Sequence, residues 1–416
     1  MPPFAWALAG IGAIGAIVTI YWFVCWLIEK RHTKTALLPD PKPSGGNQPI
    51  ILQIPPPSTG HGQIKVKLTI DYIDGLPEAP PEIKDPFEEG LAHKKRYEYE
   101  DAIRLFRQAL SMGAIGSQKA ALLLLVGNCF NEQSKFAEAE GHYKEAAAAA
   151  TEANDRAGLA TSYNNIGDIY DSKGDYDKAL DWYHKSLKIA EQIGDQAVLS
   201  ATSNNIGGIY NSKGDYDKAL DWCQKSLKIA EQIGDQAGLA TSYNNIGSIY
   251  QYKGDYDEAL DWYHKSLKIA EQIGDQAGIA RNYNNMGGIY KSEGDYDKAL
   301  DWYQKSLKIT GQIGDQAGLA TNYNNIGGIY ASKGDYDKAL DWYHKSLKIR
   351  GQIGDQAGLA ANYNNIGTVY YLKSDYKMAL DYAEQALSIF VRIGAEDKAK
   401  QVRDNIEALK SREQKK

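Results

Sequence analysis

A unit of 40 residues recurs almost unchanged through residues 155–394, and it restricts the fold more than any other feature of the chain. Asp175-Tyr176-Asp177 returns at that step as Asp215-Tyr216-Asp217, Asp255-Tyr256-Asp257, Asp295-Tyr296-Asp297 and Asp335-Tyr336-Asp337. Self-similarity at such a period signals a solenoid or a propeller. Within one unit, Tyr163, Ile166, Gly167 and Tyr170 fall at i, i+3, i+4 and i+7, the apolar stripe of a helix. Lys173-Gly174-Asp175 then supplies a helix-ending glycine and an aspartate placed to cap the next helix. Tyr176, Ala179, Leu180, Tyr183, Leu187 and Ala190 make a second stripe, which Ile193-Gly194-Asp195 stops. Each unit is therefore predicted to be an antiparallel helix pair with one buried seam. The period-2 alternation of a strand is missing from it, which excludes a propeller.

The order Tyr163, Ile166-Gly167, Tyr170, Ala179, Tyr183 and Ser186 resembles the tetratricopeptide repeat family over roughly residues 82–416. The family's helix-ending proline is missing, and the repeat is longer than usual. This Asn-rich, 40-residue variety is similar to the arrays of kinesin light chains and of G-protein-signalling modulators. The resemblance implies an all-α fold, a right-handed superhelix of about eight helix pairs over residues 82–394, with residues 395–416 as capping helix and tail. A solenoid needs such a polar cap because its terminal repeat has no neighbour to cover it.

The front of the chain reads differently. Residues 4–28 carry no formal charge, and as a helix they would span about 37 Å, more than the roughly 30 Å hydrocarbon core of a bilayer. Trp6, Tyr21, Trp22 and Trp26 sit toward the ends of this stretch, and Lys30, Arg31 and Lys34 follow it. The pattern predicts a single transmembrane helix within residues 1–34. By the positive-inside rule, it predicts a cytoplasmic array and a lipid bilayer as one partner. Residues 35–81 form a Pro/Gly-rich linker. In it, Ile64, Val66, Leu68 and Ile70 alternate with polar residues as in a strand, and residues 50–54 are a candidate pairing segment.

Several motifs carry no chemistry. Gly10-Ile11-Gly12-Ala13-Ile14-Gly15 matches a dinucleotide fingerprint but lies inside the apolar stretch, not between a strand and a helix. The repeated Asp-x-Asp lacks the rest of a calcium loop and is better read as helix capping. His184, His264 and His344 stand two repeats apart, too far to share a metal. Cys25, Cys129 and Cys223 show neither metal spacing nor a disulfide framework. With a formal net charge of −6 and no basic stripe, nucleic acid is a poor partner. No cofactor, metal or catalytic constellation is predicted, so an enzyme is not expected.

Function is expected on the concave side, lined by the first helix of each pair. Paired asparagines recur there as Asn164-Asn165, Asn204-Asn205, Asn244-Asn245, Asn284-Asn285, Asn324-Asn325 and Asn364-Asn365. A carboxamide both donates and accepts, so such a row suits the backbone of an extended peptide. In the families resembled, groove asparagines do this; the alternative is that they bridge adjacent helices. Three first-helix positions vary between copies: Thr161, Ala201, Thr241, Arg281, Thr321, Ala361; Asp168, Gly208, Ser248, Gly288, Gly328, Thr368; and Asp171, Asn211, Gln251, Lys291, Ala331, Tyr371. Arg281 and Lys291 are the candidate cations of the groove. The chaperone-type carboxylate clamp of the family needs lysine where this chain has Asn164 and its equivalents, which argues against chaperone C-termini as ligands. The expected function is a membrane-anchored adaptor for an extended peptide or partner helix. The alternative is a structural assembly factor of an envelope complex, with the array on the non-cytoplasmic side. Finally, Ser203 and Cys223 replace two core aromatics in one pair, which predicts a local soft point.

Overall fold

The computed structural model describes residues 81–413. Among them are seventeen helices and no strand: α1 (Pro81–Lys95), α2 (Tyr99–Ser111), α3 (Gly116–Glu132), α4 (Phe136–Glu152), α5 (Arg156–Lys173), α6 (Tyr176–Ile193), α7 (Gln196–Ser212), α8 (Tyr216–Ile233), α9 (Gln236–Lys253), α10 (Tyr256–Ile273), α11 (Gln276–Ser292), α12 (Tyr296–Ile313), α13 (Gln316–Ser332), α14 (Tyr336–Ile353), α15 (Gln356–Leu372), α16 (Tyr376–Arg392) and α17 (Glu396–Glu413). Helices α1 to α16 pack as eight consecutive pairs, and α17 lies against α16.

Local chemistry sets the helix ends. The side chains of Asp155, Asp195, Asp275, Asp315 and Asp355 each accept from a backbone N–H of the first turn they precede. This satisfies a donor that the helix leaves orphaned. Gly174 and Gly194 close α5 and α6 with φ of 85° and 71°, a left-handed conformation that costs glycine little. In the last pair Ser374 holds the equivalent turn at φ 62°, where an L side chain is strained by about 1–2 kcal/mol.

The core repeats with the sequence. Tyr183, Tyr263, Tyr303 and Tyr343 lie flat on Gly167, Gly247, Gly287 and Gly327, where an added Cβ would sit 2.6–2.9 Å from ring atoms. The glycine is thus required by a close approach, with a whole ring in place of its side chain. Each tyrosine then clusters with the next pair, as Tyr263 does with Met286 and Ile289 of α11. The tryptophans are packing residues: Trp302 packs in a tilted arrangement against Tyr283 of its own pair, with centroids 5.3 Å apart, and covers the cluster of the pair before it.

The first helices of successive pairs also meet one another, from α3 with α5 through to α13 with α15, and no two second helices come together to that extent. The first helices therefore line the inner, concave side. The curl is tight enough to bring distant turns together. Tyr97, between α1 and α2, donates from Oη to Asp315 Oδ1 at 2.9 Å, across 218 residues. The Ala357 amide at the start of α15 donates to Ser134 Oγ at 3.1 Å, across 223 residues. Gly174 lies so close to Asp397 of α17 that a Cβ would stand 2.9 Å from its carboxylate. The array thus closes one turn in between five and six repeats of 40 residues, with an early turn facing a late one.

The membrane localisation read from the sequence is corrected. Among the described residues no helix is long and apolar enough to cross a membrane. The reason is physical: these helices are amphipathic, with charged outer faces repeating as Lys178, Asp181 and Lys185 do on α6. The stretch 4–28, the bilayer contact assigned to it, and the linker with its strand lie outside the described residues. Neither a cytoplasmic placement nor a bilayer partner is carried forward.

Candidate groove on the concave face

The paired asparagines form a ladder. Asn205 Nδ2 donates to Asn164 Oδ1 at 3.1 Å, Asn285 Nδ2 to Asn244 Oδ1 at 3.3 Å, Asn325 Nδ2 to Asn284 Oδ1 at 2.7 Å, and Asn365 Nδ2 to Asn324 Oδ1 at 2.8 Å. In every rung the second asparagine of one repeat reaches the first asparagine of the repeat before it. Bridging between adjacent helices, the alternative weighed from the sequence, is therefore part of what these residues do. One rung is missing: Asn245 Nδ2 and Asn204 Oδ1 are buried with no partner, while the other end of Asn204, Nδ2, donates to Ser242 Oγ at 3.1 Å.

The row is unequally exposed. Asn164, Asn165, Asn204, Asn205, Asn244 and Asn364 are buried, whereas Asn245, Asn284, Asn285, Asn324, Asn325 and Asn365 are half-buried. The variable positions beside the early members are also inside, which the helical wheel did not foresee. Thr161 and Asp168 are 1% and 0% exposed. Asp168 accepts from Tyr183 Oη at 2.7 Å and from Asn205 Nδ2 at 3.4 Å, both partners lying inside the array. On α9, Gln251 accepts from Tyr263 Oη at 2.8 Å.

Helices α11 and α13 differ from the early helices. Here the ladder uses Oδ1 of Asn284 and Asn324 and Nδ2 of Asn285, Asn325 and Asn365. The other ends of these carboxamides, Nδ2 of Asn284 and Asn324 and Oδ1 of Asn285, Asn325 and Asn365, have no hydrogen-bond partner among the described residues and are not sealed off. Arg281 and Lys291 both project from α11. Burial lowers the pKa of each; for Arg281, Asp275 and Asp315 oppose that shift. Lys291 Nζ reaches over Gly328 of α13, where a Cβ would stand 3.1 Å away. Among the described residues no three histidine, cysteine or carboxylate side chains are placed to hold a metal ion.

These features define a helix-pair solenoid with an amide-lined inner face. The sequence profile of the tetratricopeptide repeat matches residues 118–192, 198–272, 238–312 and 318–390, and the chain belongs to that family. No curated protein sequence matches it. Three solved structures share the fold. The apo form of RapI is 18% identical, covers 65% of this chain and 98% of its own, and has a TM-score of 0.51. A Rap protein complexed with Competence and Sporulation Factor is 15% identical, with coverage of 80% and 98% and a TM-score of 0.51. NprR in complex with its cognate peptide NprX is 18% identical, with coverage of 80% and 100% and a TM-score of 0.50.

Proposed function

We propose that the concave face, centred on α11 and α13, binds an extended peptide by its backbone, and that the protein acts as an adaptor by binding rather than by catalysis. Residues 82–394 form the binding array in this reading, and residues 395–416 its cap. One observation carries it. The ladder fixes one half of each carboxamide and leaves the other half, alternately donor and acceptor, unpartnered and not sealed off. An extended backbone offers the complementary N–H and C=O groups at regular intervals, whatever its side chains. Bridging and binding are then two halves of one role, because an amide already held in place loses little entropy on meeting a ligand. The similar folds of NprR with its cognate peptide and of a Rap protein with its factor support the reading.

The test is capture of peptides from a random nine-residue library by the full chain. Asn285→Ala with Asn325→Ala should cut capture about tenfold, the worth of one or two hydrogen bonds. Asn205→Ala, which removes a buried rung, should lower the melting temperature and leave capture intact. Equal capture by wild type and the Asn285/Asn325 variant would refute the reading.

A further inference from the structure

The two cations of α11 have no counterpart in the other copies. The position of Arg281 holds Thr161, Ala201, Thr241, Thr321 and Ala361 elsewhere, and that of Lys291 holds Asp171, Asn211, Gln251, Ala331 and Tyr371. Early-copy acids nearby are answered by the array: Asp171, at the position of Lys291, lies in the field of Lys398 of α17, and Asp168, one turn before it, accepts from Tyr183 and Asn205. The cations are not answered in this way. Arg281 Nη2 is buried without a hydrogen-bond partner. The acids that act on Arg281, Asp275 and Asp315, are each spent on capping a helix, through Gly278 N and Gly318 N, and Asp315 also accepts from Tyr97. Lys291 forms no ion pair among the described residues, and its ammonium lies over a glycine. A guanidinium shielded from water and left without a carboxylate, as at Arg281, is costly to keep. With the exposed Lys291 also unpaired on the same helix, two cations of α11 are open to an anion from outside.

Their placement says more than their sign. Asn284 and Asn285 lie between them on α11, about 5 Å along the helix axis from Arg281 and about 10 Å from Lys291. A peptide following the amide track from α11 to α13 would pass with one cation on each side. Successive side chains of an extended chain point to opposite sides.

We propose that Arg281 and Lys291 flank the amide track and select peptides bearing two carboxylates on opposite edges of the extended backbone. The ligand class is an acidic peptide whose Asp or Glu residues are separated by an odd number of positions, as at i and i+1 or i and i+3. The selection rests on the peptide-binding role proposed above. It adds specificity to a backbone grip that would otherwise accept many sequences.

The test uses the full chain and the same random nine-residue library, with wild type compared against Arg281→Thr plus Lys291→Gln. Those replacements are the residues that Thr241 and Gln251 place in a sibling copy, so the fold is expected to hold, and a thermal melt checks it. Wild type should enrich paired acids at odd separation about tenfold over the input, the strength expected of charge-assisted hydrogen bonds. The double variant should still capture peptides but lose that preference, and raised salt should erode it in wild type only. Enrichment without acids, acids only at even separation, or the same preference in the double variant would overturn the proposal while leaving peptide binding in place. No enrichment by either protein would instead sink the peptide-binding reading itself.

Discussion

The pairs α7–α8 and α9–α10 are built on one 40-residue template, yet they hold together by different means. In α9–α10, Tyr243 packs tilted against Trp262 with centroids 5.5 Å apart, and Tyr263 fills the seam over Gly247. In α7–α8, Ser203 and Cys223 take those two places. Both are fully buried, and Trp222 turns to His184 of the preceding pair, 5.9 Å away. Hydroxyls do part of the work that rings do elsewhere: Ser200 meets Ser226 at 2.9 Å, Ser226 meets Ser242 at 3.2 Å, and Asn204 donates to Ser242. In this pair the ladder also lacks its rung, with Asn204 Oδ1 and Asn245 Nδ2 both buried and unpartnered. The difference teaches that a solenoid tolerates a polar, less filled pair because each repeat answers only to its neighbours.

Copying the weak pair onto the strong one should give the largest effect. Tyr243→Ser with Tyr263→Cys should destabilise the array by about 3–5 kcal/mol, the range for large-to-small changes in a core. Urea unfolding combined with hydrogen exchange across α9 to α12 would measure it, and a loss below about 1 kcal/mol would mean the aromatic pair is not what distinguishes these repeats. Next come the glycines. Gly287→Ala drives a methyl to within 2.7 Å of the Tyr303 ring, which has nowhere to go, and should cost about 2 kcal/mol. Gly207→Ala meets the Cys223 sulfur at 2.6 Å and the Ala219 carbonyl at 3.1 Å, one side-chain atom in place of a ring, and should cost less on the same thermal melt. In the reverse direction, Ser203→Tyr with Cys223→Tyr should stabilise by about 1 kcal/mol, because the buried Ser203 hydroxyl has no partner to lose. A fall in Tm would show that the hydroxyl network already fills the site.

The smallest effect concerns where the array loosens in acid. Glu140 joins α4 to α5, accepting from Lys144 at 2.7 Å, Tyr170 at 2.9 Å and Lys173 at 3.0 Å. Burial would raise its pKa, but these hydrogen bonds outweigh burial and hold it at about 2. A depressed carboxyl stabilises fully above its unfolded value near pH 4.3, and that contribution is lost as pH falls toward 2. Hydrogen exchange at pH 3 should therefore show loosening at the α4–α5 joint ahead of α7–α8, and Glu140→Gln should remove the difference between pH 3 and pH 7.

The fold was legible because its information is local and repeated. The helix stripe, the Gly174 stop and the Asp175 cap all lie within a few residues of one another, and the copies confirm each other. The groove was only half legible. Pairing Asn325 with Asn284 depends on how two helices 41 residues apart are set side by side, and no pattern within one helix encodes that register. Nor does a helical wheel reveal that Asp168 and Thr161 are buried, since Asp168 meets Tyr183 of the next helix and Asn205 of the next repeat. The seam between Tyr97 and Asp315 arises from small rotations summed over several repeats. The sequence did single out Arg281 and Lys291, because they break a repetition, and only the structure shows that neither forms an ion pair among the described residues.

The central claim, that an extended peptide lies on the amide track, is tested most directly by mapping where one lands. A library-selected peptide carrying a photoreactive residue would be cross-linked to the full chain and the adducts located by mass spectrometry. Cross-links concentrated on α11 and α13, near Asn284, Gly288, Asn325 and Gly328, are the expected result. Cross-links on the outer helices, around His264, Lys265 or Lys305, would contradict it.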